Sequence, residues 1–226
     1  MKNLFRKLFA SEQMAPNLEL ISVHVPKTAG TSFRNILERI YHQEDAFQPI
    51  YKAEGEIWHN RLPNIPEKTR VIHGHFPATM ALHDAYPQAK IIAWAREPVA
   101  RTISYYSFWK RTPKHGNPAH DYFLDNDMSL IDFARHPVMQ GEMLAYFDRV
   151  PLEKFFFIGL VEHFDEDIRA LARSLDWPEP EIPKENVTKK RLDITDEEHA
   201  AIEEAMADTI ALYEQIKQLR AQRLSS

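Results

Sequence analysis

Apolar positions along the chain alternate between two periods. "LELISVHV" (Leu18 to Val25) is a short run of leucine and β-branched residues, and it predicts a buried strand. Directly after it, Phe33, Ile36, Leu37, Ile40 and Tyr41 recur at helical spacing. The alternation then repeats. "RVIHGHF" (Arg70 to Phe76) predicts a second strand, followed by a helix from Ala78 to Tyr86. "KIIAWAR" (Lys90 to Arg96) predicts a third, followed by a helix from Pro98, where proline suits a first turn. "KFFFIGL" (Lys154 to Leu160) predicts a fourth, with the amphipathic "EHFDEDIRALARSL" behind it. A long C-terminal helix over 195–223 opens at Thr195, whose Thr-x-x-Glu spacing to Glu198 is a capping box.

Residues 110–149 interrupt this pattern between the third and fourth strands. They read as a helical insertion with short helical segments around Ile131 and Met143. Strands alternating with helices imply βαβ units and a mainly parallel sheet flanked by helices on both faces. The expectation is one α/β domain over 1–226, with an N-terminal extension at 1–16. Ligands of such sheets bind beyond the carboxyl ends of the strands, so the residues there are the ones to inspect.

Composition narrows the function classes. The chain has 226 residues, 44% hydrophobic and 27% charged, an ordinary globular balance. A net charge of -5 gives no support to a nucleic-acid binder. The absence of cysteine excludes disulfides, thiolate catalysis and cysteine metal sites. No apolar run reaches the roughly 20 residues of a membrane span. Leu4, Phe5, Leu8 and Phe9 share a helical face beside Lys2, Arg6 and Lys7, so residues 1–10 suit a docked terminal helix or a weak membrane-surface contact.

Two strand ends carry anion chemistry. In "HVPKTAGTSF", Lys27 supplies a mobile charge, and Gly30 allows close backbone approach or a positive φ. Thr31 and Ser32 fall where helix N-terminal amides are unpaired and the dipole favours an anion. The stretch lacks the G-x-x-x-x-G-K-[ST] spacing of a nucleoside triphosphatase loop. In "WAREPVARTISYYSFW", Arg96 leaves the sheet before a helix carrying Arg101, Ser104 and Ser107, a fork plus hydroxyls suited to a phosphate. A surface pairing of Arg96 or Arg101 with Glu97 is the competing structural role. Two such sites imply a ligand with two separated anionic groups. Most of "YYSFW" must face the core of its helix, with the rest available to stack on a base or sugar.

"PKTAGTSF" resembles the 5′-phosphosulfate loop of sulfotransferases that use 3′-phosphoadenosine 5′-phosphosulfate (PAPS), and "REPVARTISYY" resembles their 3′-phosphate segment. "HGHF" lies between the two, as in the heparan sulfate and uronyl 2-O-sulfotransferases. "GLVEHFDEDI" and "ENVTKK" are similar to the downstream segments of that group, so the likeness runs in order from about Ile21 to Arg191. The resemblance implies a P-loop-like α/β fold and sulfonate transfer from PAPS to an acceptor hydroxyl, with a saccharide as the leading acceptor. It implies that Lys27 contacts the bridging oxygen and sulfonate. Thr28, Ala29, Gly30, Thr31 and Ser32 would cradle the 5′-phosphate, and Arg96 and Ser104 would hold the 3′-phosphate. His75 would be the general base, with His73 its neighbour or alternative, and Asn186, Lys189 and Lys190 further cofactor contacts. The insertion at 110–149 would form the acceptor side, and no metal is required. Familiar animal relatives carry a membrane anchor and stem; this sequence shows neither, so the expectation is a cytoplasmic enzyme of bacterial type.

Other readings stay open on the residues alone. His73 and His75 point to one face of a strand and, with His24, could ligate a metal, or they could be hydrogen-bonded core residues. Their place at a strand end beside an anion loop favours the base. A small-molecule kinase of P-loop type would want its lysine directly before the helix-start hydroxyl, whereas Lys27 lies four residues before Thr31. A non-catalytic nucleotide-binding relative is the third reading.

Overall fold

A computed structural model describes residues 17–42, 45–50, 54–182 and 192–224. Five strands form one sheet: β1 (Leu20–Val23), β2 (Phe47–Pro49), β3 (Val71–Gly74), β4 (Lys90–Ala95) and β5 (Phe155–Leu160). Their order is β2-β3-β1-β4-β5, and every pairing is parallel. The α/β class read from the sequence is therefore the observed one. β1 sits at the centre with all its residues buried, as its unbroken apolar run requires when both faces are covered.

Alternate residues feed two cores. Ile21, Ile91, Ala93 and Ala95 face one with Tyr146, Phe147, Tyr213 and Ile216. Leu20, Ile92 and Trp94 face the other with Phe33, Ile36 and Leu37 of helix α1 (Gly30–Ile40). The remaining helices are α2 (Glu54–Trp58), α3 (Met80–Ala85), α4 (Pro98–Arg111), α5 (Pro118–Asp125), α6 (Leu130–Arg135), α7 (Pro137–Glu142), α8 (Leu144–Phe147), α9 (Phe164–Ser174), α10 (Asp196–Ala205) and α11 (Ala207–Leu224).

Three features refine the sequence reading. The edge strand β2 and the short α2 are additions that no periodicity announced. The insertion holds four short helices, α5 to α8, whose Phe123, Phe133 and Met139 pack on Trp109 of α4 in a separate core closed by Ile202 and Met206. The C-terminal helix begins with the expected capping box at Thr195 and Glu198, then breaks at Met206 (φ -101°, ψ 15°) into α10 and α11. The extension at 1–16 and its membrane-contact reading lie outside the described residues.

Candidate active site

The carboxyl ends of β1, β3 and β4 open into one cleft of about 620 Å³. Sheet order explains the convergence: the chain leaves β1 toward β2 on one side and later crosses to β4 on the other, and a crevice opens above the carboxyl ends where the order reverses. Lys27, Ala29, Gly30, Thr31, Arg96, Ser104 and His75 all line it.

The loop after β1 is wound tightly. Lys27 and Ala29 both adopt left-handed backbone conformations, at φ 67° and 60°, and Ala29 is the N-cap of α1. Such turns aim successive amides at one point, adding to the field of the helix N-terminus. Thr28 is buried and its hydroxyl donates to the Val25 carbonyl at 2.7 Å, so it braces the loop from inside. Ser32 is buried too, and neither residue lines the cleft. Gly30 has an unforeseen reason: a Cβ there would stand 1.6 Å from His24 Nε2. It makes room for a neighbouring ring rather than supplying a positive φ.

The basic side of the cleft is crowded. Lys27 is pushed below the ordinary lysine value by burial first, then by Arg96 and Arg111. Its ammonium lies 4.3 Å from the centre of the Phe108 ring, and Arg96 donates to the Lys27 carbonyl at 3.4 Å. Glu97 is committed to the helix that follows. Its carboxylate caps α4, accepting from Val99 N at 2.9 Å and Ala100 N at 2.7 Å. Arg101, grouped with Ser104 in the sequence reading, is a structural brace. It is 2% exposed, donates to the Pro26 carbonyl at 3.0 Å and pairs with Glu142.

Three histidine rings stack at the head of the sheet. His24 lies 4.1 Å from His75 and 5.0 Å from His73, nearly parallel to both. His73 is 1% exposed, shares a 2.8 Å hydrogen bond with Ser22 Oγ, and is held down to about 3 by burial and by His75. It does not reach the cleft, so the two histidines offered as alternatives occupy different environments. His24 is pushed down to about 2, mainly by burial and then by its two histidine neighbours. Face-to-face stacking does not converge the ring nitrogens on one point, and among the described residues no group of three His, Asp or Glu side chains is arranged to hold a metal.

His75 is fixed from three directions. Its Nδ1 lies 2.8 Å from the His24 carbonyl, which only accepts, so Nδ1 carries the proton and Nε2 is the basic nitrogen of the neutral ring. Its amide donates to Glu54 Oε1 at 2.6 Å, and its carbonyl accepts from Trp58 Nε1 at 2.8 Å. Glu54 and Trp58 come from α2 and were absent from the sequence reading. So were Glu142, Tyr146 and Asn117, which bring the insertion to the cleft, and His24 as a stacking partner. Within "YYSFW", Tyr105 and Phe108 line the cleft while Tyr106 and Trp109 pack on Phe133. Asn186, Lys189 and Lys190 lie outside the described residues.

The cleft thus combines amides at a helix start, clustered cations and a histidine held in one tautomer. Against known proteins, the profile of the sulfotransferase family matches residues 13–222. A sulfotransferase from Alicyclobacillus acidocaldarius is similar at 15% identity, covering 86% of this chain and 96% of that one, with a TM-score of 0.47. A mouse sulfotransferase complexed with PAP is similar at 18% identity, covering 87% of this chain and 66% of that one, with a TM-score of 0.38. No curated protein matches.

Proposed function

The chain belongs to the sulfotransferase family, whose profile spans nearly its whole length, and is a PAPS-dependent enzyme; from that premise we propose that it transfers sulfonate to a saccharide hydroxyl with His75 as general base. Membership of this family sets aside the kinase reading. The single observation behind the site assignment is the crowding of Lys27 and Arg96 in one cleft with the start of α1, an arrangement whose mutual repulsion an anionic ligand relieves. The residues present fit a donor with two anionic ends.

PAPS supplies the activated sulfonate. Lys27 stabilises charge that develops at the donor's sulfonate end, and the amides of Ala29, Gly30 and Thr31, with the Thr31 hydroxyl, hold the 5′-phosphate. Thr28 and Ser32 support that loop from the protein side. Arg96 and Ser104 hold the 3′-phosphate, and the resemblance adds Asn186, Lys189 and Lys190. His75 Nε2 takes the acceptor's hydroxyl proton, and the resulting imidazolium keeps its Nδ1–H on the His24 carbonyl. His73, sealed below, supports the stack. Aromatic rings of Trp58, Tyr105 and Tyr146 on the cleft wall support a saccharide acceptor.

The test is transfer from labelled PAPS to a saccharide panel, with PAP titrated in parallel. His75→Ala should lower kcat by at least about 10²-fold while PAP still binds. Unchanged turnover in that variant would remove His75 from the mechanism, and failure to bind PAP in the wild type would remove the site.

A further inference from the structure

The two walls of the cleft differ in charge. Lys27 and Arg96 are its only described lysine and arginine, and both belong to the donor side assigned above. The wall around His75 is built by α2 and the insertion and carries carboxylates and rings. Glu54 touches the His75 amide, and Glu142 lies in the same lining. Tyr146 meets Trp58 edge to face at 5.2 Å. Both Glu142 and Glu54 push the already buried Tyr146 hydroxyl upward, so this phenol stands within the field of the two carboxylates. Arg101 is buried against Glu142 and compensates its charge, which leaves Glu54 as the carboxylate of this wall with no ion pair among the described residues; Arg149 stacks over Trp58 at 5.1 Å, donates to its carbonyl, and does not line the cleft.

We propose that the acceptor is an uncharged polyol, a neutral sugar or glycoside, and that the Glu54 carboxylate beside His75 excludes carboxylated or sulfated glycans. This deepens the sulfotransferase reading and rests on it. Sugar hydroxyls donate charge-assisted hydrogen bonds to carboxylates, while the apolar face of a sugar ring packs on aromatic edges. An acceptor bringing its own carboxylate or sulfate would meet like charge in a half-enclosed site, an arrangement that costs several kcal/mol. Glu54 is part-buried against the His75 amide, so a further anion beside it is only weakly screened by solvent. Discrimination here comes from repulsion as much as from attraction.

The experiment compares kcat/KM on neutral gluco- and galacto-oligosaccharides with that on uronate-bearing and sulfated oligosaccharides of equal length, with PAP binding measured by titration. Wild-type enzyme should favour the neutral series by at least ~10-fold. Raising ionic strength should narrow that ratio, because salt screens the repulsion. Glu54→Gln keeps an oxygen for the His75 amide and removes the charge, so it should also narrow the ratio. Equal or better transfer to the anionic series overturns the proposal, as does transfer to neither series by an enzyme that binds PAP. Absence of PAP binding overturns the underlying sulfotransferase site instead.

Discussion

His24 ties the loop after β1 to His75 through one ring and one carbonyl. The ring fills the space above Gly30 and stacks on His75, while the carbonyl sets the His75 tautomer. Gly30→Ala must therefore displace the ring before anything else moves. The expected result is a fall in kcat of at least ~10-fold, with a smaller change in PAP affinity, because near-attack geometry is what suffers. A kcat/KM profile and a PAP titration separate the two. The same stack predicts a pH dependence of stability. His24 and His73 are held at about 2 and about 3 in the folded chain, against an ordinary value of 6.5. The unfolded chain therefore takes up their protons first, so their contribution is complete above 6.5 and is lost as pH falls toward the folded values. Each adds a slope of up to about 1.4 kcal/mol per pH unit within that window. Denaturant melts between pH 6.5 and 5 should show His73→Asn with a visibly shallower decline than wild type.

At the scale of elements, the start of α4 sets the position of Arg96. Glu97 caps the helix with its carboxylate, and its own amide donates to Glu162 Oε1 at 2.9 Å, joining the ends of β4 and β5. Glu97→Ala removes the cap and should cost about 1 kcal/mol of stability. It should also weaken PAP binding, because Arg96 immediately precedes the loosened turn; calorimetry and PAP titration read the two effects. Four strands were legible because Val, Ile and Phe runs have no other home in a covered parallel sheet. β2, three half-buried residues ending in Pro49, and α2, with Ile57 as its one buried residue, are too short to establish a period. Their loss from the sequence reading hid Glu54 and Trp58. The break at Met206 was hidden for a different reason. That side chain is 2% exposed in the insertion's core, and packing there overrides a helical pattern that runs through it unbroken. The Lys27 and Arg96 side of the cleft was legible because its residues are contiguous with strand ends, whereas the opposite wall is assembled from α2 and residues 110–149 by tertiary folding alone.

At the scale of the whole molecule, α11 clamps the back of the sheet to the cleft. Tyr213 donates to Glu162 Oε2 at 2.8 Å, the carboxylate that also receives the Glu97 amide, so the C-terminal helix reaches the Arg96 turn in two hydrogen bonds. Arg220 makes the deeper attachment. It binds Asp167 of α9 through Nε at 2.9 Å and a terminal nitrogen at 2.6 Å, and Asp167 is fully buried while also accepting from Leu160 N at 2.7 Å. Arg220→Ala leaves that carboxylate buried with one backbone donor and no counter-charge. Removing one partner of a buried pair costs about 3–5 kcal/mol, which in a chain of this size lowers Tm by about 10 °C. The damage should be to stability rather than chemistry, since neither residue lines the cleft, so activity assayed well below the new Tm should stay near wild type. The double variant Asp167→Asn with Arg220→Met removes both charges and keeps an oxygen for Leu160 N. It should recover most of the lost Tm, as expected if the penalty comes from the orphaned charge. A double variant as unstable as Arg220→Ala would instead assign the loss to the packing of the arginine stem.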